Sequence, residues 1–425
     1  MAARATVRMY RQGLGDCFVV TFPTEAGGSF RVMIDCGVIL GQPNAQNAMQ
    51  AVVKDIADTY GTIDLLVATH EHWDHISGFV QAWESGKLPG ITFKHVWLAW
   101  TEDPTNPQAQ KLAGNKSAAL AALAEAQAHM ALAGNGDVAE GLAPFLEQLG
   151  LAAASSTAQA MANIKTVVPK ENLRFRKPTD PPEKLDGTNV TVFVLGPPLD
   201  DTLLHTLSKG PTSPVMYGLD ASSVASANAV APFGGEQTLP IEAARRIAFF
   251  QRRYFGTDVQ TSSDDAPAWR RIDDAWLGSA TDLALQLDSY TNNTSLVLCF
   301  QLPDGSTMLF PGDAQIGSWL SWPTLSWKAG DATITGADLL AKCTFYKVGH
   351  HGSHNATAKS GGLETMKVLA TAVIPVDEQE AKKKNWDRMP LPAIVSSLEA
   401  QTQQHVIRAD QPPAGTPALY VEVTI

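Results

Sequence analysis

Short apolar runs with a period of two recur along the chain, and each stops at a polar or glycine-bearing break. Thr6–Tyr10 alternates, residues 16–22 make a second run, and Gly27-Gly28 turns the chain into a third at 30–35. That pattern predicts a β-meander over residues 5–37. At 47–60 the period changes to a helical one, set by Met49, Val52, Val53 and Ile56, with Gly61 placed to stop the helix. A strand at 63–67, a helix at 76–84 and a strand at 91–100 follow. Alanine-rich stretches at 117–132 and 155–164 then predict helices, broken by Gly134, Gly136 and Gly150.

A strand returns at 189–195 and is closed by Gly196-Pro197-Pro198. Serine, glycine and proline scattered through 209–235 read as a long loop; 241–254 and 272–287 read as helices on either side of a polar break at 261–267. A strand at 292–302 meets Thr307–Phe310 through Asp304-Gly305, a hairpin signal. The remaining apolar runs predict strands at 343–348, 373–376, 405–408 and 419–425, with a helix at 393–401. The stretches at about 104–170 and about 201–288 stand out as insertions, the first helical, the second bordering whatever site the chain carries.

Composition narrows the class. The chain has 425 residues, 44% hydrophobic and 18% charged, as a globular protein with a sizeable core has. A net charge of −11 argues against a nonspecific nucleic-acid binder, which needs a positive surface. Lys382-Lys383-Lys384, Arg245-Arg246 and Arg252-Arg253 are short basic runs that read as solvated faces. No apolar stretch has the length and lack of charge of a membrane span, and none at the start has the form of a signal peptide. Cys17, Cys36, Cys299 and Cys343 all lie in or beside apolar runs and read as small buried hydrophobes, which points to a cytoplasmic location.

Chemistry concentrates where strands end. The run at 63–67 leads into His70-Glu71-His72-Trp73-Asp74-His75, the strand at Thr307–Phe310 into Pro311-Gly312-Asp313, and the strand at 343–348 into Gly349-His350-His351-Gly352-Ser353-His354. Six of the ten histidines fall in two of these clusters, which chance placement does not explain and metal ligation does. Residues two apart in extended backbone point the same way, so His70 and His72 can share one ion. Asp74 and His75, entering the next helix, face a second beside it. Imidazole and carboxylate suit zinc, with manganese and iron as alternatives. Asp16 and Asp35 lie at the start of one strand and the end of another. Each reads either as a structural cap or as a carboxylate that orients the imidazoles. His95, His129, His205 and His405 sit in ordinary structural contexts.

This set of motifs resembles the metallo-β-lactamase-fold hydrolases. It is most similar to the hydrolase domain of ComEC-type competence proteins and their stand-alone relatives. Carrying the resemblance are Gly15-Asp16-Cys17-Phe18, Ile34-Asp35-Cys36-Gly37, the His70–His75 cluster, Asn293-Thr294-Ser295-Leu296-Val297, Phe310-Pro311-Gly312-Asp313 and Lys347-Val348-Gly349-His350-His351-Gly352-Ser353. The resemblance implies one αβ/βα four-layer domain spanning residues 1–425, with two mixed sheets face to face and helices outside. It implies a first metal on His70 and His72, a second on Asp74 and His75, Asp313 bridging both, and His350, ahead of His351, completing the set. The family often has a further histidine before the bridging aspartate. No motif for it occurs here, which leaves His351 and His354 as additional candidates.

Two cations about 3.5–4 Å apart bind a shared water, lower its pKa and stabilise the anionic transition state. The expected activity is therefore hydrolysis by a metal-bridging hydroxide, with Asp74, His75 and Asp313 as the reacting set. The resemblance tilts the substrate toward phosphodiesters, small or in nucleic acid; esters, thioesters and lactams are the alternatives within the class. An iron-dependent oxidoreductase and a non-catalytic binding protein are the alternatives outside it.

Overall fold

The structure is a computed structural model describing residues 5–132, 157–206, 241–251, 275–329, 332–384, 386 and 388–425. Its strands are β1 (Thr6–Tyr10), β2 (Cys17–Pro23), β3 (Ser29–Cys36), β4 (Thr62–Val67), β5 (Thr92–Ala99), β6 (Leu173–Arg176), β7 (Glu183–Lys184) and β8 (Thr191–Gly196). They continue with β9 (Val297–Gln301), β10 (Thr307–Phe310), β11 (Ser326–Ala329), β12 (Ala332–Thr335), β13 (Cys343–Lys347), β14 (Thr371–Ile374), β15 (Val406–Arg408) and β16 (Tyr420–Thr424). Among the described residues two seven-stranded sheets form, in the orders β16-β1-β2-β3-β4-β5-β6 and β15-β14-β13-β10-β9-β8-β7, beside the hairpin β11-β12.

Alternation along the strands decides which side chains meet. Phe18, Val20 and Phe22 of β2, Val32 and Ile34 of β3, and Leu65 and Val67 of β4 face Val192, Val194, Leu298, Phe300, Met308 and Phe310 of the other sheet in one buried cluster. Rings touch across it, Phe18 on Phe310 at 5.9 Å and Phe22 on Phe300 at 5.2 Å between centroids. The opposite faces are covered separately. Met33, Leu66 and Leu98 pack on the helix Ala45–Thr59 through Met49, Val52, Val53 and Ile56. Phe193, Cys299 and Leu309 pack on Trp319, Leu339 and Ile394. Helix, sheet, sheet, helix is therefore the layering, as the resemblance implies.

The strand directions place the chemistry. β3, β4 and β5 run parallel, as do β10, β13 and β14. Asp35, His70, Asp313 and His350-His351 all sit at carboxyl ends of these parallel strands. Open α/β sheets present ligand sites at such ends.

Several expected boundaries shift. The helix expected at 76–84 begins at Trp73 and breaks into Trp73–Ile76 and Gly78–Gln81. Its first turn forms because the His72 carbonyl accepts from the His75 and Ile76 amides at 3.0 and 3.2 Å, so Asp74 and His75 are helical. The helix expected at 272–287 is Ala275–Asn293, and β9 starts only at Val297. Tight turns from Thr291 and Asn292 to the amides of Thr294 and Ser295, both 3.1 Å, occupy the segment between. The short strands β6 and β7 and the hairpin β11-β12 carry too few alternating apolar positions to be predicted. The loop at 209–235, the break at 261–267 and Arg252-Arg253 lie outside the described residues. All four cysteines are free and buried. Lys382 and Lys383 pair with Glu378 and Glu380 on a surface helix, as solvated basic runs do.

Candidate metal centre

Two buried imidazoles open the site. Beyond β4 the chain is extended, and His70 Nε2 and His72 Nδ1 come to 3.1 Å from each other. Two nitrogens bound to one zinc at about 2.0–2.1 Å stand that far apart. The other side of the His70 ring is fixed: Nδ1 faces Thr69 Oγ1 at 3.0 Å and Ser295 Oγ at 3.2 Å. Thr69 Oγ1 donates to Asp35 Oδ2 at 2.7 Å, so toward His70 it accepts, which puts the ring proton on Nδ1 and the lone pair of Nε2 toward His72. Burial lowers both rings, His70 well below the ordinary histidine value and His72 to about 3; both are neutral, as ligands must be.

The second group gathers four side chains from three elements. His75 Nδ1 donates to Asp35 Oδ2 at 2.8 Å, which turns His75 Nε2 toward Asp313 Oδ2 at 3.1 Å. His351 Nδ1 donates to the Pro375 carbonyl at 2.7 Å, which turns its Nε2 toward Asp74 Oδ2 at 2.9 Å and Asp313 Oδ2 at 3.8 Å. Asp35 is held for this task. It has φ of 57°, and its carboxylate also accepts from the Thr69 amide at 2.7 Å. Burial acts against charge throughout. At His75 and His351 it is outweighed by Asp313 and the other carboxylates, which raise both imidazoles. At Asp74 it is outweighed by His75 and His351, which hold the carboxyl at about 2.

Asp16, His75, Asp313 and His351 have donor atoms within 4.8 Å of one another. Asp16, however, faces the wrong side of the rings. It lies 3.8 Å from His75 Nδ1 and 3.6 Å from His351 Nδ1, the nitrogens already committed to Asp35 and Pro375. Asp74 faces the Nε2 side of both rings, at 3.8 and 2.9 Å. Asp74, His75, Asp313 and His351 are therefore the set that fits a cation, with Asp16 behind it. Buried oxygens and nitrogens without a hydrogen-bond partner cluster here: His72 Nε2, Asp74 Oδ1, His75 Nε2 and Asp313 Oδ2. Orphaned donor atoms of this chemistry are what a divalent cation satisfies.

Lys347, at the end of β13, is fully buried between the two sheets' edges. Its ammonium meets Asp16 Oδ2 at 2.5 Å, the Gly312 carbonyl at 2.8 Å and Asp313 Oδ1 at 3.2 Å. Desolvation works against it, and the two carboxylates raise its pKa despite that. One oxygen of Asp313 is thus held by Lys347 and by the His350 amide at 3.0 Å, and the other is left toward His75.

Of the two late histidines, His351 is the one whose ring lies in this cluster. His350 and His351 both adopt left-handed backbone, φ 44° and 52°, and the turn swings the His350 ring away to Gln315 at 3.4 Å while His351 reaches under the edge to Asp74. His354 is part-exposed outside the cluster. Half-buried His95 lies on β5 opposite Leu65, and His205 stacks on Tyr290 at 4.8 Å; neither joins the site. His405 is structural, its Nδ1 on Thr371 Oγ1 at 2.8 Å.

Comparison with known families places this arrangement. Residues 10–224 match the metallo-beta-lactamase superfamily. The chain belongs to that superfamily. No curated protein matches it. The superfamily match ends before Asp313 and His351, so those residues enter through the geometry just described. Members of the superfamily are mostly metal-dependent hydrolases that bind divalent ions, and the buried donor cluster accords with that class. Among the described residues no helix is long and apolar enough to cross a membrane.

Sequence reasoning missed one further buried group. Asp288, on the helix Ala275–Asn293, places Oδ1 3.8 Å from His72 Nε2. Burial and the nearby Asp74 raise its carboxyl to about 7. The only signal in sequence is a polar stripe, Asp288, Thr291 and Asn292, beside the apolar Ala284, Leu287 and Tyr290. Beside the same helix lies a cavity of about 420 Å³ reached by Glu71, Lys116, Lys165 and Thr291, with Lys116 bound to Glu71 at 2.6 Å and Thr291 at 2.9 Å.

Proposed function

We propose that this chain is a dinuclear metal-dependent hydrolase of phosphodiester bonds. His70 and His72 would hold one ion, Asp74, His75 and His351 the other, and Asp313 both. The observation that carries the reading is Asp313 Oδ2. It is buried without a hydrogen-bond partner, 3.1 Å from His75 Nε2, while its sister oxygen is tied down by Lys347 and a backbone amide. A carboxylate with one oxygen anchored and one free among imidazoles is built to bridge.

Bound in these two sets, divalent ions supply a water of lowered pKa and neutralise charge that develops at the attacked centre. The chain's own residues keep the donors ready. Asp35 and Pro375 hold the protons of His75 and His351 on Nδ1, and Thr69 holds that of His70. Asp74 Oδ1 is buried and without a partner, and it would orient the attacking group. The mix of imidazole and carboxylate favours zinc, with manganese and iron as the other candidates.

The phosphodiester assignment rests on the likeness of 347–353 and the neighbouring motifs to ComEC-type hydrolase domains. The net charge of −11 favours a small or locally bound phosphodiester over a long nucleic acid. The pairing of β1 with β16, Thr6 opposite Thr424, supports reading the chain as one domain carrying two insertions. Four free cysteines support a reducing, cytoplasmic setting.

The test is hydrolysis of bis-p-nitrophenyl phosphate, single- and double-stranded DNA, RNA, a lactam and a thioester by the wild type and by Asp313→Ala. Phosphodiester cleavage that falls by about 10²–10³-fold in Asp313→Ala supports the proposal, the scale expected when a group stabilising the transition state is lost. Cleavage that survives the substitution removes Asp313 from the reaction.

A further inference from the structure

We propose that Asp288 is a positioning residue for the first metal: its carboxylate accepts the Nε2 proton of His72 and so keeps His72 Nδ1 turned toward the ion shared with His70. The inference rests on the dinuclear reading above and extends it to a residue outside the superfamily match.

Four observations converge on this pair. The nitrogen of His72 that faces His70 is Nδ1, at 3.1 Å, so an ion held by the pair leaves Nε2 on the far side. A neutral imidazole that gives one nitrogen to a metal carries its proton on the other, which needs an acceptor when buried. His72 Nε2 is buried without a hydrogen-bond partner, and Asp288 Oδ1, also buried without one, stands 3.8 Å away, a gap that a side-chain shift of about 1 Å closes to a hydrogen bond. Asp288 itself is anchored: Oδ2 accepts from Asn292 Nδ2, one helical turn on, at 3.3 Å. His70, His75 and His351 each have this arrangement already, with Thr69, Asp35 and Pro375 on the nitrogen away from the site. His72 would otherwise be the one imidazole of the four without it. The helix Ala275–Asn293 thereby ties the second insertion to the metal centre, and the same helix holds Lys116 of the first insertion through Thr291.

The experiment is calorimetric zinc titration of metal-free protein, comparing the wild type with Asp288→Ala, Asp288→Asn, Thr291→Ala and His351→Ala. Thermal melting and circular dichroism report whether each variant is folded. The wild type is expected to take up two ions, and the step lost in His351→Ala identifies the second. Asp288→Ala should weaken the other step 10–100-fold, the usual cost of losing such a partner. Asp288→Asn, which keeps an acceptor oxygen, should recover part of the loss. Thr291→Ala, which alters the same helix but leaves the carboxylate of Asp288 in place, should leave both steps unchanged. Two unaltered steps in a folded Asp288→Ala, or an equal loss in Thr291→Ala, overturn the role of Asp288 while the dinuclear reading stands. A wild type that binds no divalent ion overturns both.

Discussion

Gly37 offers a way to disturb the proposed second metal set without altering any of its side chains. The residue follows Cys36, the last of β3, and is buried against the turn that carries Asp74 and His75. A Cβ on Gly37 would lie 2.4 Å from the Asp74 carbonyl carbon and oxygen and 2.5 Å from the His75 amide nitrogen. Ordinary contact begins near 3.4 Å, so Gly37→Ala must move the Asp74–His75 peptide by about 1 Å or displace β3 by as much. These are backbone atoms in a packed interior, and overpacking of this kind costs about 1–3 kcal/mol. The same 1 Å displaces Asp74 Oδ2 and His75 Nε2 relative to Asp313 and His351, on a scale at which misplacement costs about 100-fold in rate. Gly114→Ala is the matched control. Nothing lies within 4 Å of its added Cβ, and in the interior of the helix Pro107–Leu132 the change should stabilise by about 0.5–1 kcal/mol. One chemical change is thus expected to have opposite signs at two sites. Melting curves, metal content per chain and phosphodiester hydrolysis measure it. Gly37→Ala with wild-type metal content and activity would refute the claim that this peptide sets the ligand positions.

His351→Ala should lose one metal equivalent, whereas His350→Ala should keep both, because the contact of His350 with Asp313 is through its backbone amide; metal analysis of the two proteins decides between them. Lys347→Ala leaves Asp16 and Asp313 buried without their cation and should cost about 3–5 kcal/mol in a urea titration of the metal-free protein. An unchanged midpoint would show that the ammonium is not what balances these carboxylates. In the metal-free protein His75 and His351 have raised pKa values, because Asp313 and its neighbours outweigh burial. Their contribution to stability is therefore fully present below pH 6.5 and lost as pH rises through the raised values. Metal uptake at neutral pH must displace those protons, so titrations in buffers of different ionisation enthalpy should report proton release, and affinity at the second set should rise with pH. His70 and His72, already neutral, should contribute no such release; a pH-independent second step would contradict this.

The strand-end clusters were legible because parallel strands impose a simple rule: a ligand after one carboxyl end meets ligands after the others. His70, His72, Asp74, His75 and Asp313 follow from that rule and from spacing. His351 against His350 does not, since two consecutive left-handed residues are not written in a Gly-His-His run, and the turn they make decides which ring enters. Lys347 looks like any lysine closing a strand; only the convergence of Asp16 and Asp313 from distant elements explains burying it. Asp288 was invisible for a related reason. A single aspartate on a helix has no periodicity, and its partner His72 lies more than two hundred residues away. The layers themselves came through because period-two runs on both sheets leave few other ways to bury Phe18, Phe22, Phe300 and Phe310.

The sheet that carries His70 is edged by the chain's final strand: Arg8 of β1 meets Glu422 of β16 across 414 positions, and Asp74 meets His351 across 277. During synthesis at about 5–20 residues per second, that second interval lasts on the order of tens of seconds. Until Asp313 is made a nascent chain presents His70, His72, Asp74 and His75 without it, and through the whole interval it lacks the strand β16 that edges the sheet. An ion captured that early would have only part of its coordination. Completion of the candidate donor set is therefore tied to the emergence of β13 and the turn after it, and any ion the set binds would meet its donors in an order fixed by this topology.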